Sequence, residues 1–118
     1  MAKFEFIEWL FLWLLELEEP RFQWDEGNRT KSVLKHGVSI DEVEDVFRLG
    51  MVLPLGIQIT PVTPEPRFAV AGPTKSNRML TVVFTVRDGR IRPISTRPTH
   101  KKEKDAYEKV LRQIAQRV

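Results

Sequence analysis

The sequence predicts an α+β fold, with helices in its first half, an antiparallel sheet of about four strands, and a helix at its C-terminal end. Apolar residues recur at helical spacing up to residue 50, alternate at strand spacing over residues 51–98, and then return to helical spacing. The chain has 118 residues, and 42% of them are hydrophobic, which is enough for one core. We therefore expect a single domain over residues 1–118.

The first predicted helix runs from Phe6 to Leu17 and is apolar on two faces. It is shorter than the roughly 20 residues that cross a bilayer, and it lacks the basic start and cleavage site of a signal peptide. We expect residues 1–20 to form an extra helix that contacts a second copy of the chain, or a partner chain, through Trp9 and Trp13. The alternative is a helix buried within the domain. The inward stripe would be Ile7, Leu10, Phe11 and Leu14.

Two further helices are predicted before residue 50. Asp25 can cap a helix from Glu26 to His36, which Gly37 would end in the left-handed conformation. Ser39 and Glu42 have the spacing of a capping box at the start of the next helix, and a glycine ends that helix. The apolar stripe of this helix is Val43, Val46 and Phe47.

The strand region contains one strong hairpin signal, Asp88-Gly89. A two-residue turn there pairs Arg87 with Arg90 and Thr85 with Arg92. Prolines 54 and 61 make the first strand an edge strand or an irregular one. In the hairpin register, strict alternation puts one set of residues on a half-polar face: Thr81, Val83, Thr85, Arg87, Arg90, Arg92, Ile94 and Thr96. It puts another set on the core face: Leu80, Val82, Phe84, Val86, Ile91 and Ser95.

Positive charge is concentrated in the second half of the chain. Residues 1–63 carry a net charge of −5, and residues 64–118 carry +8. The last helix, expected from about Lys101 to Gln116, begins with lysines, although the helix dipole disfavours cations there by about 0.3–1 kcal/mol each. An anion at this helix start would offset that cost, so we expect Lys101, Lys102 and Lys104 to bind phosphate with Arg92 and Arg97. The alternative is a solvated basic face. The apolar stripe of the helix is Ala106, Tyr107, Val110, Leu111 and Ile114.

The composition excludes some classes of site. The chain has no cysteine and only two histidines, so it predicts neither disulfides nor a thiolate metal site. We expect a cytoplasmic protein with no cofactor, no metal and no membrane contact.

Four segments of the sequence, from Phe22 to Lys109, form a recognisable pattern: "FQWDEGNRTKSVLKHGVSIDEVEDVF", "RFAVAG", "LTVVFTVRDGRIRPISTR" and "EKDAYEK". In this order they resemble the BrnT family of ribonuclease toxins. The most specific parts are Trp24-Asp25 with Lys35-His36-Gly37, and the run from Arg92 to Arg97. The N-terminal helix, Pro93, Thr96 and the loop "VLPLGIQITPVTPEP" depart from the family pattern.

The resemblance implies a compact fold similar to the RelE-type toxins. It also implies metal-independent cleavage of cellular RNA, which would inhibit translation and growth, and a DNA-binding antitoxin that neutralises the toxin and forms a repressor complex with it. The family's functional positions match seven residues of this chain, which we expect to form the catalytic site: Lys35, His36, Arg67, Thr85, Arg87, Arg92 and Arg97. Ser95 also matches, and we expect it to be structural.

Metal-free cleavage of RNA requires three tasks. The ribose 2′-hydroxyl must lose its proton, the phosphate's growing charge must be stabilised, and the departing 5′-oxygen must be protonated. We expect Arg87, Arg92 and Arg97 to clamp the phosphate, Thr85 to orient it, and His36 or Lys35 to transfer a proton. For His36 and Lys35 a plain role at the end of a helix is equally open.

Two other functions remain open from the sequence. The basic face could hold nucleic acid or an acidic antitoxin without cutting anything. The chain could also be an assembly protein that recruits partners through its apolar helix, but that function would leave the basic cluster without a role.

Overall fold

The computed structural model describes residues 2–116, apart from the side chains of Ser32 and Ile114. Its centre is a five-stranded antiparallel sheet whose strands follow one another in chain order. This confirms the predicted α+β fold, with one more strand than the sequence suggested. The strands are β1 (Lys3–Glu5), β2 (Leu53–Thr60), β3 (Phe68–Pro73), β4 (Met79–Arg87) and β5 (Arg90–Pro98).

Within residues 2–116, four helices accompany the sheet: α1 (Glu8–Leu15), α2 (Lys31–His36), α3 (Ile40–Arg48) and α4 (Lys101–Gln116). The capping box predicted for α3 is present, since Ser39 accepts from the Glu42 N–H and Glu42 accepts from the Ser39 N–H. Gly37 and Gly50 have positive φ, as expected for glycines that end helices.

The prediction for α2 was too long by five residues. Asp25 does cap a turn, because its carboxylate accepts a hydrogen bond from the Gly27 N–H at 2.9 Å. The buried side chain of Asn28 then donates to the carbonyls of Gln23 and Pro93. These bonds fix the segment as a turn against β5, so the helix begins only at Lys31.

One face of the sheet carries the main core. Leu10 of α1 is fully buried there, together with the predicted apolar stripe of α3. Trp13 stacks on Phe84 with ring centroids 6.1 Å apart, and Trp9 makes an edge contact with Phe68. The prediction that Trp13 faces outward is therefore wrong, because its ring lies over the chain's own core.

The alternation predicted for β5 fails beyond residue 93. Phe84 pairs with Pro93 but Val83 pairs with Ser95, so Ile94 is an extra residue and the register shifts. The shift reverses two predicted orientations. Ser95 shares the face of Val83, whereas Thr96 pairs with Val82 on the core face and is buried. The same shift brings Arg97 onto the face that holds Arg92, opposite Thr81.

The last helix covers only part of the second face of the sheet. Tyr107 is buried against Leu53 and Ala71, and Leu111 packs beside them. Ala106 and Val110 are exposed, contrary to the predicted stripe, and the Ile114 side chain lies outside the described residues. This helix leaves the part of the second face near the β4–β5 hairpin uncovered, and polar residues lie there.

β2 is irregular, as its prolines predicted. It has a bulge between Pro54 and Gly56, and it is flanked by β1 and β3 within the sheet. Gly56 has a φ of 131°, and a Cβ atom there would lie 2.0 Å from the backbone oxygen of Glu5. Only glycine therefore lets β1 pair so closely with β2.

Candidate functional site

A polar cavity of about 290 Å³ lies on the open part of the second face. The loop between β2 and β3 forms one wall, the ends of β4 and β5 form the floor, and the turn before α2 forms the other wall. We call it the arginine pocket. Its lining residues are Gly27, Asn28, Lys31, Thr63, Pro64, Glu65, Arg67, Thr85, Arg87, Arg92, Pro93 and Ile94.

The pocket unites four of the seven residues predicted to be catalytic: Arg67, Thr85, Arg87 and Arg92. They come from β4, β5 and the residue before β3, where the family resemblance placed functional positions. Lys31 and Glu65 also line the pocket but were not predicted. Lys31 was expected inside a longer helix, and Glu65 in a proline-rich loop without periodicity. The only available signal for Glu65 was its position two residues before Arg67.

Arg92 is held by a bidentate ion pair with Asp25. Its Nη1 and Nη2 atoms lie 2.6 and 3.1 Å from the two carboxylate oxygens, and only 14% of the Arg92 side chain is exposed. The hydrogen bond from Arg92 holds the pKa of Asp25 below its ordinary value. Asp25 therefore stays ionised and fixes the guanidinium at the edge of the pocket.

Arg87 makes a similar bidentate pair with Glu65. Its Nε atom lies 2.8 Å from Oε2, and Nη2 contacts Oε1. The Arg87 hydrogen bond lowers the pKa of Glu65, and the Glu65 carboxylate raises the pKa of Arg87. The β2–β3 loop is thereby tied to the end of β4.

Thr85 has a different contact from the one predicted. Its hydroxyl donates to the carbonyl of Pro66 at 2.7 Å, and the side chain is buried. Because that proton is engaged with the loop, Thr85 fixes the wall of the pocket. An orienting contact from Thr85 to a phosphate would have to break this bond.

Arg97 does not line the arginine pocket. It pairs with Thr81, four residues along β4 from Thr85, and binds both oxygens of Glu103 at 2.7 and 2.8 Å. The predicted three-arginine clamp is therefore not assembled in this structure, since the side chain of Arg97 is committed to the start of α4.

The start of α4 is occupied by a carboxylate of the helix itself. Glu103 accepts from the His100 N–H at 3.2 Å, and the Thr81 hydroxyl lies 3.2 Å away. Burial raises the pKa of Glu103, but the hydrogen bonds and charge of Arg97 lower it more, so the net pKa lies below the ordinary value. The expected phosphate position is thus filled by Glu103. The lysines of this turn, Lys101, Lys102 and Lys104, are exposed.

Lys35 and His36 also lie outside the pocket lining. They end α2, whereas Lys31 begins it, which separates His36 from Lys31 by about 8 Å along the helix axis. The His36 carbonyl accepts from Arg78 Nη2 at 3.1 Å, which satisfies the helix end. Lys35 is exposed.

The pocket suits an anion. Four cations line it, namely Lys31, Arg67, Arg87 and Arg92, against one lining carboxylate, Glu65. Two of the arginines are pre-oriented by carboxylates, so little side-chain freedom is lost when they bind a phosphate. Among residues 2–116 no group of three or more potential metal ligands occurs. Within the same range no helix is long and apolar enough to cross a membrane.

Comparisons with known proteins agree with this architecture. A family model described as the ribonuclease toxin, BrnT, of type II toxin-antitoxin systems matches residues 24–103. The 1.1 Å crystal structure of the Brucella abortus ribonuclease toxin BrnT matches with a TM-score of 0.50 and 19% identity, over 70% of this chain and all of that chain. No curated protein sequence matches significantly. Since the family model spans more than half of the sequence and contains the whole pocket, the chain belongs to the BrnT family of ribonuclease toxins of type II toxin-antitoxin systems.

Proposed function

We propose that this chain is a toxin that cuts cellular RNA internally without a metal ion, and that this cleavage inhibits translation and growth. The observation that carries the proposal is the arginine pocket, in which three arginines and a lysine surround a space large enough for a phosphate group. The family supplies the substrate class. We expect the protein to act in the cytoplasm, where its RNA substrates are.

The pocket's cations suit the charge that develops during RNA cleavage. When the 2′-oxygen attacks the adjacent phosphorus, negative charge grows on the non-bridging phosphate oxygens. Arg87 and Arg92 are held at neighbouring strand ends and can donate to those oxygens, and Arg67 faces the same space. Fixed guanidinium groups supply there the positive charge that a metal ion supplies in other nucleases.

The leaving 5′-oxygen needs a proton. Lys31 lines the pocket and its ammonium group is a proton donor, so we assign it this role. Lys35 and His36 lie at the other end of the same helix, where they can contact the flanking nucleotides of a bound strand. Of the other residues predicted to be catalytic, we propose that Arg67, Arg87 and Arg92 act on the reacting phosphate. Thr85 would hold the wall of the pocket, and Arg97 would support the fold from the start of α4.

A longer RNA strand would extend beyond the pocket. β5 leads from Arg92 to the start of α4, where Lys101, Lys102 and Lys104 are exposed. We propose that these lysines bind backbone phosphates outside the cleavage site. Such contacts would strengthen binding without selecting a base sequence.

The proposed partners are those of a type II toxin. A DNA-binding antitoxin would neutralise the chain and form a repressor complex with it. We also retain the proposal of a homodimer through α1, with Trp9 and its exposed neighbours as the contact face, because Trp13 lies inward.

The test is incubation of the purified protein, without its partner, with labelled RNA in EDTA. We expect the wild type and Arg90→Ala to cleave, because Arg90 is exposed and does not line the pocket. Arg92→Ala should cleave about 100- to 1,000-fold more slowly, as when one charge-stabilising donor is lost. Melting temperatures of all three proteins would show that the comparison is between folded proteins.

Two outcomes would contradict the proposal. Equal cleavage by Arg92→Ala and the wild type would show that the arginine pocket takes no part in the reaction. Intact RNA with retained binding by the wild type would favour a non-catalytic module that only holds nucleic acid or its antitoxin.

A further inference from the structure

In the part of the chain that the structure describes, Glu65 is the only carboxylate that lines the arginine pocket. We propose that Glu65 is the general base that removes the proton from the ribose 2′-hydroxyl. This inference rests on the proposed function and adds a catalytic residue to it. Neither histidine of the chain lines the pocket, and a carboxylate can act as a general base in place of a histidine.

The structure holds Glu65 in place on both sides. The carbonyl of Glu65 accepts from the Thr63 hydroxyl at 2.6 Å, and the carbonyl of the next residue, Pro66, accepts from Thr85 at 2.7 Å. Prolines on either side of Glu65 further restrict the backbone. A residue on an otherwise irregular loop is thus positioned by a buried strand residue, as a general base requires.

The neighbours of Glu65 keep it in its basic form. Arg87 contacts both carboxylate oxygens, and the charges of Arg92 and Arg67 also act on it. Lys31 faces the same cavity from α2. With these cations around it, Glu65 is ionised at neutral pH and can accept a proton.

The contact with Arg87 also links the base to the reacting phosphate. A phosphate that binds Arg87 and Arg92 lies next to the carboxylate that Arg87 holds, and the adjacent 2′-hydroxyl then comes within its reach. Asp25 differs, because it binds Arg92 and is not among the residues that line the pocket. We therefore assign Asp25 to positioning of Arg92 and Glu65 to proton transfer.

The proposed step is balanced. The 2′-hydroxyl proton moves to Glu65 as the 2′-oxygen forms a bond to phosphorus. The bond between phosphorus and the 5′-oxygen breaks, and Lys31 gives that oxygen a proton. The products are a 2′,3′-cyclic phosphate and a 5′-hydroxyl. Glu65 then gives its proton to solvent, and Lys31 takes a proton from solvent.

The first experiment compares the wild type, Glu65→Gln and Glu108→Gln. Glu108 is exposed on α4 and does not line the pocket, so it is a matched control. Cleavage of a labelled RNA is measured beside binding of the same sequence with every 2′-hydroxyl methylated. We expect Glu65→Gln to cleave at least about 100-fold more slowly, the usual contribution of a general base, and to bind the methylated RNA as tightly or more tightly.

A second experiment separates proton transfer from positioning. Glu65→Ala is assayed with added formate, which can occupy the vacated space and accept a proton. We expect formate to restore part of the cleavage by Glu65→Ala and to leave Arg92→Ala unchanged, because Arg92→Ala lacks a charge-stabilising donor and still has its base.

Three outcomes would overturn the proposal. Wild-type cleavage by Glu65→Gln would mean that the carboxylate only holds Arg87. Equal loss of binding and cleavage by Glu65→Gln, with no formate rescue of Glu65→Ala, would mean that it shapes the pocket. If the wild type leaves the RNA intact, the proposed function fails as well. The wild-type measurement therefore distinguishes that failure from the failure of Glu65 alone.

Discussion

At the scale of single residues, the placement of Arg97 depends on one extra residue in β5. Arg92 and Arg97 are five positions apart, so strict alternation would place them on opposite faces of the sheet. Ile94 interrupts the pairing with β4 and brings both onto one face. Pro93 precedes it and has no N–H to donate, which weakens the regular ladder at this point. The hairpin signal predicted the pairs at the turn, but the alternation of residues along β5 did not predict the later register shift.

The candidate site was predictable for residues on strands and less so for residues on loops. Arg87 and Arg92 flank the hairpin whose register Asp88-Gly89 specifies, and Arg67 immediately precedes β3. Glu65 and Lys31 reach the pocket through tertiary contacts, the pair with Arg87 and the turn that Asn28 fixes. Local sequence does not encode such contacts.

Replacement of Arg97 should affect stability more than cleavage. Arg97 binds Glu103 with both Nη atoms, and the two side chains are only 28% and 22% exposed. We expect Arg97→Ala to lower the free energy of unfolding by about 1.5–3 kcal/mol, the usual contribution of a hydrogen bond to a charged group. The folded variant should still cleave RNA within a few-fold of the wild type. Urea denaturation and the cleavage assay would check both expectations. Complete loss of cleavage in a stably folded Arg97→Ala protein would instead restore Arg97 to the catalytic site.

At the scale of elements, capping sequences predicted helix ends better than apolar content did. The capping box of α3 and the glycines after α2 and α3 are where the sequence placed them, because each depends on contacts within a few residues. The predicted start of α2 was wrong, because the hydrogen bonds of Asn28 to Gln23 and Pro93 compete with helix formation. The short strand β1 was missed because its pairing depends on a distant glycine, Gly56.

The attachment of α4 to the sheet should weaken in acid. Glu103 has a lowered pKa in the folded protein, so its ionised form stabilises the fold at pH values above its ordinary pKa of 4.5. That contribution is lost as the pH falls through the lower folded-state pKa. We expect Glu103→Gln to be less stable than the wild type at pH 7 and to approach it as the pH falls through that lowered pKa. Melting temperatures of both proteins across this range would test the expectation, because the other carboxylates contribute equally to both. A difference in melting temperature that does not change with pH would rule out the ionised Arg97–Glu103 pair as the cause.

At the scale of the whole molecule, the layers of the fold explain where the pocket lies. α1 and α3 cover the first face, and α4 covers the second face only beside Leu53 and Ala71. The remaining surface near the β4–β5 hairpin is closed by a loop and a turn, and both carry charged residues toward the arginines. A rigid sheet thus supports a polar site at its uncovered end.

The segment before the family match adds an apolar surface to the molecule that shares no lining residue with the arginine pocket. Residues 1–23 precede the matched region, and α1 lies within them. α1 buries Leu10 but leaves an apolar face in solvent, with relative exposures of 48% for Leu12 and 67% for Leu15. Phe6 and Trp9 extend this face, and Phe6 also lines an apolar groove of about 250 Å³ between α1, β2 and α4. A continuous apolar surface of this kind is typical of an interface.

We therefore predict that the wild type self-associates through α1. Leu12→Lys and Leu15→Lys together should yield a monomer, because two cations would have to be buried in the interface. These substitutions are compatible with helix formation. A lysine at position 12 would lie one turn after Glu8, and a lysine at position 15 would lie near the negative, C-terminal end of the helix dipole. Leu34→Lys is the control, as Leu34 is 83% exposed on α2. Sedimentation equilibrium at micromolar concentrations would measure the mass of each protein.

Point variants test this interface more sharply than removal of the segment. Deletion of residues 1–18 would take Leu10 and Trp13 away from the core, so a change in mass could reflect unfolding. The double lysine variant keeps both residues, and its melting temperature should stay near that of the wild type. A wild-type monomer would refute self-association, and a dimer that persists in the double variant would place the interface elsewhere. If only the α1 variant is monomeric, the apolar helix joins two copies of the chain, and the arginine pocket of each copy shares no lining residue with the groove beside that helix.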